Sequence, residues 1–421
     1  MKRYRIKKRF PLLALAIILL AVLLVRTCST SDTGQKTPIP RNANETQHET
    51  IELLCVGDIM AHGTQIKAQY DSATGEYDFN NNYKYVKPYI EKADVAMCNL
   101  ETTFGGEPYR GYPVFSAPDS LADAIKNAGF DIVFTSNNHM MDTGMKGVKR
   151  TLRVLRDKGF DVSGSRLSEE EPRFFIRNVK GVKVGFIGYT YETPSPDGNV
   201  YINSIKVPYE EAELINSFSN ERINADLKEM KDSVTAAKKA GADIIVMYLH
   251  WGEEYQVNPN RNQKMVAEYL VDNTATDIIF ASHPHVLQPI DMVKSADGKK
   301  TVPVFYSMGN FISNQRVESL GERFSNTETG CLAILEVKVK SKTVNGEKTY
   351  TIESIDNKTV PTWVNRYKSG GKTIYDVVPL DGTEQDNPGI KASGRGAHVK
   401  AVKEAANAIL NQYLHAGTAE I

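Results

Sequence analysis

The chain has 421 residues, 41% hydrophobic and 24% charged, the composition of a folded globular protein rather than a disordered one. Its formal charge is zero, but seven Lys/Arg lie before position 27 and all 51 Asp/Glu lie beyond it, so the remainder is net −7. No basic stripe interleaved with aromatics accompanies that balance, which argues against a nucleic-acid partner.

The first segment, residues 1–9 (MKRYRIKKR), is basic and reads as cytoplasmic. Phe10 to Val25 (FPLLALAIILLAVLLV) is an uncharged apolar stretch of sixteen residues, slightly short of the roughly 17–25 of a spanning helix. Val25-Arg26-Thr27 is not a small-x-small cleavage site, and Arg26-Thr27 before Cys28 departs from the small apolar residues of a lipidation site. Residues 10–26 are therefore predicted to be an uncleaved signal-anchor helix. The basic residues ahead of it keep the N-terminus in the cytoplasm and place the main domain outside the cell membrane, in the periplasm or at the cell surface. Residues 27–50 are polar, contain Pro and lack periodicity, the pattern of a flexible stalk.

From Glu52 to about Met308, short apolar strands alternate with amphipathic stretches at Asp119–Gly129, Gly147–Gly159, Glu221–Ala240 and Arg261–Val271, the βαβ rhythm of a largely parallel sheet flanked by helices. Cys331–Lys340, Lys348–Ile355 and Lys372–Pro379 favour β residues, with Asn345-Gly346 as a turn signal, and are expected to form a second, antiparallel sheet of the same domain. One domain then spans 51–390, and an Ala-rich helical tail occupies 391–421. Cys55, Cys98 and Cys331 fall in strands, where free cysteine acts as a small buried hydrophobe. No P-loop or dinucleotide fingerprint is present.

Chemistry collects at strand ends. IELLCVGD ends on Asp58, VAMCNLE on Glu101, IVFTSNNH on Asn138 and His139, IIVMYLH on His250, and IIFASHPH on His283 and His285. Loops at the carboxyl ends of neighbouring strands converge on one crevice, and Asp, Glu, Asn and neutral His are the oxygen and nitrogen ligands of divalent metals. Singly, each has a bland use: Asp58 as a turn or cap, His250 as a core histidine, Asn138-His139 as a polar turn. Together they predict a site for one or two divalent ions, with Mn, Fe or Zn suited to the donor set. His62, four residues after Asp58, is a further candidate for metal or substrate. Asn310 and Gln315, in GNFISNQ, are either substrate contacts or turn side chains bonded to backbone. His48, His398 and His415 read as surface residues.

GDIMAHG, CNLETTF, FSAPDSLADAIKNAGFDIVFTSNNHMMDTG, LHWGEEY, ASHPHVLQP and YSMGNFI together resemble the CapA family of bacterial capsule and poly-γ-glutamate biosynthesis proteins, over roughly residues 51–315. That resemblance implies a metallophosphatase-like α/β fold, a sandwich of two mixed sheets flanked by helices, similar to calcineurin-like phosphoesterases with their D-x-H, G-D-x-x-D, G-N-H-[DE], H and G-H-x-H pattern. By this likeness Asp58 and His285 serve one metal, Asn138, His250 and His283 the other, and Glu101 replaces the bridging aspartate. His139 becomes the acid, oriented by Asp142. One position departs: Met60 stands where the D-x-H histidine would be.

The function so implied is a membrane-anchored protein of capsule or poly-γ-glutamate biosynthesis, with a site that hydrolyses or transfers a phosphoester or related bond. The alternative is a non-enzymatic assembly or export factor of a membrane synthesis complex. Expected partners are an anionic capsule polymer or its precursor, other subunits of that complex, and the lipid bilayer through the N-terminal helix. Because the exported part is acidic, capture of a polyanion needs the metals or a local patch, for which Arg316 and Lys264 are the candidates.

Overall fold

The computed structural model describes residues 46–344 and 347–414. The expected basic segment, signal-anchor helix and most of the stalk lie outside them, and among the described residues no helix is long and apolar enough to cross a membrane.

Two mixed sheets pack face to face. The first contains β1 (His48–Ile59), β2 (Val95–Leu100), β3 (Ile132–Phe134) and β4 (Asp161–Ser163) as a parallel run. The second contains β5 (Phe175–Val179), β6 (Val182–Tyr191), β7 (Ile244–His250), β8 (Ile278–Ser282), β9 (Ile290–Lys294) and β10 (Thr301–Phe305). Within it β6, β7, β8 and β10 are mutually parallel, and β5 and β9 are antiparallel edges. The chain then returns to the first sheet through β11 (Asn310–Ile312), β12 (Thr329–Val344), β13 (Glu347–Asn357), β14 (Val360–Ser369) and β15 (Lys372–Pro379).

That return corrects the expected partition. The late antiparallel strands do not build a second sheet. β12 pairs with β1, Ile51 opposite Val337 and Leu53 opposite Leu335, and extends the first sheet, while the second is made from strands in the middle of the chain. The reason is that these strands are apolar on both faces: Leu53, Cys55, Met97, Ala333 and Leu335 pack towards Phe186, Val246, Tyr248 and Phe280 of the other sheet, whereas Leu54, Val56, Cys98 and Leu332 pack towards helices. Periodicity marks such strands as buried without naming their neighbours. The three free cysteines Cys55, Cys98 and Cys331 are buried apolar residues.

The expected helices form close to their places as α3 (Ser120–Ala128), α4 (Gly144–Asp157), α5 (Ile223–Lys239), α6 (Arg261–Asn273) and α8 (Gly396–Leu410), and the fold adds the short helices α1 (Gly63–Gln69), α2 (Lys87–Lys92) and α7 (Pro388–Ser393). Leu121, Ile125 and Leu155 cover the outer face of the first sheet, and Leu227, Met230, Val266 and Leu270 that of the second. Two boundaries shift. His48–Thr50, read as the end of the stalk, are strand, because the ladder to Lys338–Lys340 continues past the apolar run. The C-terminal helices are docked rather than free: Ile390 and Val399 pack on Trp363, and Ala406 and Leu410 join the inter-sheet core.

One irregularity positions the chemistry. β1 breaks register after Val56, ceasing to pair with β12 and pairing with β11 instead, Asp58 opposite Asn310. Bulges of this kind re-aim side chains at functional sites. The crossing is close enough that a Cβ on Gly57 would lie 1.9 Å from the Gly309 carbonyl oxygen, while the Asp58 N–H donates to that same oxygen at 3.0 Å. Gly57→Ala is expected to cost about 3 kcal/mol through overpacking against backbone. Urea denaturation checks this, and a loss within experimental error would show that β11 retreats freely.

Candidate metal centre

Every strand-end residue singled out from sequence except His62 reaches one buried cluster or its immediate support, although the residues come from two sheets. Asp58 lies in the bulged end of β1, Glu101 follows β2, and Asn138 and His139 sit in the 3-10 turn Asn138–Met141 beyond β3. From the second sheet, His250 is the last residue of β7, and His283 and His285 follow β8. Both His283 and His285 have positive φ, 106° and 57°, a backbone conformation that side-chain-bearing residues adopt at a cost.

The ligand-type atoms form two groups, Glu101–His250–His283 and Asp58–Glu101–His285, with the atoms of each within 4.8 Å of one another. Glu101 belongs to both. Its Oε1 lies 3.9 Å from His250 Nε2 and 3.6 Å from His285 Nε2. His285 Nδ1 lies 3.3 Å from Asp58 Oδ2, and His250 Nε2 lies 2.8 Å from Asn138 Oδ1.

Burial sets the electrostatics. Glu101 is completely buried, and desolvation, with Asp58 close by, raises its carboxyl well above the ordinary range. Burial pushes the His250 imidazole down to about 3 and holds His283 well below its usual value, so both are neutral donors of electron pairs. Burial opposes the charged forms of Asp58 and His285 too, but their mutual attraction prevails, lowering the Asp58 carboxyl and raising the His285 imidazole. Both Glu101 oxygens, Asp58 Oδ2, His250 Nδ1 and His283 Nδ1 are buried without a hydrogen-bond partner. Buried polar atoms are nearly always paired, so a concentration of unpartnered carboxylate oxygens and imidazole nitrogens at one point fits a cation.

Supporting contacts fix the cluster. Asn137 Nδ2 donates to Asn99 Oδ1 at 3.1 Å and to the Leu100 carbonyl at 2.8 Å, and Asn99 Nδ2 donates to Asp58 Oδ1 at 2.8 Å. Sequence reasoning missed both asparagines. The available signal was an amide inside an apolar run, which burial obliges to find partners. His139 Nδ1 lies 2.9 Å from Asp142 Oδ2, which also accepts the Phe115 N–H at 2.7 Å, while the Phe115 ring meets the His139 ring edge to face at 4.7 Å. The Tyr191 ring, also missed, sits 4.7 Å from that of His283.

Four further candidates lie outside both ligand groups. Asn310 is fully buried and bonds to backbone, the second of its two expected uses: its Oδ1 lies 3.0 Å from His285 Nδ1, and its Nδ2 donates to the His285 and Thr327 carbonyls and Gln315 Oε1. It holds the imidazole through the ring nitrogen opposite Nε2. Gln315 in turn buttresses Asn310 and donates to Tyr255 Oη at 3.4 Å. His62 belongs to neither ligand group. It precedes α1, with its Nδ1 3.1 Å from Gln65 Oε1 and accepting the Asn314 N–H at 3.2 Å, and burial pushes its imidazole down to about 4. Arg316 forms no surface patch, being fully buried with Glu328 and the Val364 carbonyl as partners. Met60 is likewise buried.

The fold and this cluster define an α/β sandwich protein with a candidate two-ion centre built where the carboxyl ends of both sheets meet. Residues 52–315 match the family described as bacterial capsule synthesis protein PGA_cap, and the chain belongs to that family. It is 29% identical to the capsule biosynthesis protein CapA of Bacillus anthracis over 73% of this chain and 70% of that one. To the PGA biosynthesis protein CapA of Bacillus subtilis (strain 168) it is 27% identical over 79% of each. Among solved structures, the calcineurin-like phosphoesterase YfkN of Bacillus subtilis aligns with a TM-score of 0.40 and 14% identity, covering 85% of this chain and 99% of that one.

An unpartnered buried carboxylate destabilises the ion-free protein. Glu101 is raised in the folded state, so its contribution to stability is present below the ordinary carboxylate value of about 4.5 and is lost as pH rises above it. In the chelator-treated protein, Glu101→Gln is therefore expected to be more stable than wild type by roughly 1–3 kcal/mol at neutral pH, with the difference shrinking towards pH 4. Thermal melts across pH check both the sign and the slope.

Proposed function

We propose that this chain acts in capsule or poly-γ-glutamate biosynthesis as a membrane-anchored, outward-facing protein with a divalent-metal centre of metallophosphoesterase type. The observation that carries the reading is the pair of ligand groups sharing the partnerless Glu101 carboxylate. Family membership supports the biological setting, since both CapA relatives are named for capsule or PGA biosynthesis. The basic N-terminus followed by sixteen apolar residues supports the anchor.

Asp58, Glu101 and His285 would hold one ion; Glu101, His250, His283 and Asn138 the other, with Mn, Fe or Zn suited to these donors. When bound, the ions supply Lewis acidity that withdraws charge from a phosphoryl or related oxygen. The chain does the rest. Asn99 and Asn310 orient Asp58 and His285. Asp142 engages His139 Nδ1, which leaves Nε2 as the ring nitrogen able to give a proton to a departing oxygen. Phe115, against the His139 ring, restricts its rotation and keeps water from one side.

Dialysis of the full-length protein against chelator followed by addition of Mn2+ is expected to raise the thermal midpoint by several degrees, as ligand linkage requires, and Glu101→Gln should abolish the rise. His139→Ala should retain the bound ion while lowering turnover of a model phosphodiester by about 10²–10⁴-fold. Absence of both metal uptake and metal-dependent stabilisation in wild type would overturn the reading.

A non-enzymatic role in polymer assembly or export is the second reading, favoured by Met60, which provides no nitrogen ligand beside Asp58. Polymer release from cells carrying His139→Ala separates the two: loss at normal protein level supports chemistry, and unchanged release supports assembly.

A further inference from the structure

An open groove of about 650 Å³ lies between α1 and the β14–β15 hairpin, away from the buried cluster. Its lining includes Lys67, Arg366, Lys368 and Lys372, with Tyr70 and Tyr375, and no Asp or Glu. Lys372 has an exposed partner, Asp71, at 3.6 Å, and such surface pairs are weak. Among the described residues no carboxylate forms an ion pair with Lys67, Arg366 or Lys368. Arg366 donates to Asn314 Oδ1 at 3.2 Å and Lys368 to Thr373 Oγ1 at 2.6 Å. Three of the four cations have no acid paired with them, and the four repel one another, although residues 27–421 together are net −7. Such a concentration of one sign is the pattern of a surface that receives the opposite sign.

A short series of contacts leads from the groove to the residues around the candidate centre. Tyr375 Oη and Arg366 both donate to Asn314 Oδ1, and the Asn314 N–H donates to His62 Nδ1. The His62 ring meets the Phe115 ring at 5.2 Å, and Phe115 meets His139 at 4.7 Å. Gln315, the residue after Asn314, supports Asn310 and so His285. On β14, Arg366 and Lys368 stand two residues apart on one face, about 7 Å along the strand, a row suited to charges that repeat along an extended polymer rather than to one small anion.

We propose that this groove binds a segment of a polyanionic chain bearing carboxylates or phosphates, with Lys67, Arg366, Lys368 and Lys372 as its contacts. The further step, that bound polymer is thereby presented to the metal centre, rests on the function proposed above. Arg366 supplies directed hydrogen bonds and the lysines supply mobile charge, so binding weakens with salt.

The test uses full-length protein in detergent, with fluorescently labelled poly-γ-glutamate and, separately, labelled polyphosphate, read by anisotropy at two salt concentrations. The triple substitution Lys67→Ala, Lys368→Ala, Lys372→Ala is expected to weaken binding of at least one probe about tenfold and to flatten its salt dependence, with thermal midpoint and metal content unchanged. The probe held more tightly by wild type identifies carboxylate or phosphate as the ligand group. Lys228→Ala with Lys231→Ala, on α5, should leave affinity unaltered. Equal affinity in wild type and the triple variant, or no binding by wild type, overturns the groove. Glu101→Gln separates the two readings: loss of the ion with retained polymer affinity leaves the groove standing even where the centre is inactive.

Discussion

The arrangement turns on one buried carboxylate. Glu101 has no exposed surface and no hydrogen-bond donor, and it lies among two other carboxylate- or imidazole-bearing groups on each side. Removing a charge from water without compensation costs several kcal/mol, and the nearest imidazole nitrogens, His285 Nε2 at 3.6 Å and His250 Nε2 at 3.9 Å, lie beyond hydrogen-bond distance. The surrounding structure therefore tolerates at Glu101 an instability that a cation relieves. Strain of the same kind appears in the positive φ values of His283 and His285, which only a well-packed frame can impose.

That frame is the sandwich. Asp58, Glu101 and Asn138 come from the carboxyl ends of the first sheet, and His250, His283 and His285 from those of the second. Neither sheet alone carries a complete ligand group, so the packing of Cys55, Met97 and Phe134 on Val246, Tyr248 and Phe280 is as much a condition of the site as the ligands themselves. The strand crossing at Gly57 and Gly309 ties the two requirements together. It ends the β1–β12 ladder, admits β11, and so brings both Asp58 and Asn310 to His285 Nδ1. The cluster is closed and buried, whereas the basic groove between α1 and the β14–β15 hairpin is open.

Helices were legible because their signals are local: Asp119 and Gly129 bracket α3, and Gly129 does adopt the left-handed conformation of a helix stop. The strand-end residues were legible for a similar reason, since an Asp, Glu or His closing an apolar run lies at the mouth of whatever sheet the run joins. For Asn310 the sequence left substrate contact and backbone-bonded turn equally open, and packing shows the bonds to the His285 and Thr327 carbonyls; Arg316, expected in a surface patch, is fully buried. Lys67 and the β14–β15 cations went unnoticed because about three hundred residues separate them in the chain.

By itself, then, the sequence determined the family, the run of helices and strands, and the identity of the side chains that gather at the centre, because burial periodicity and donor chemistry are written residue by residue. The tertiary structure decided which sheet each strand entered, that Glu101 stands between two ligand groups, that His62 caps a helix instead of joining them, and that four cations form one groove. Those outcomes depend on pairing and packing between residues far apart in the chain, and strands buried on both faces carry no local mark of their partners.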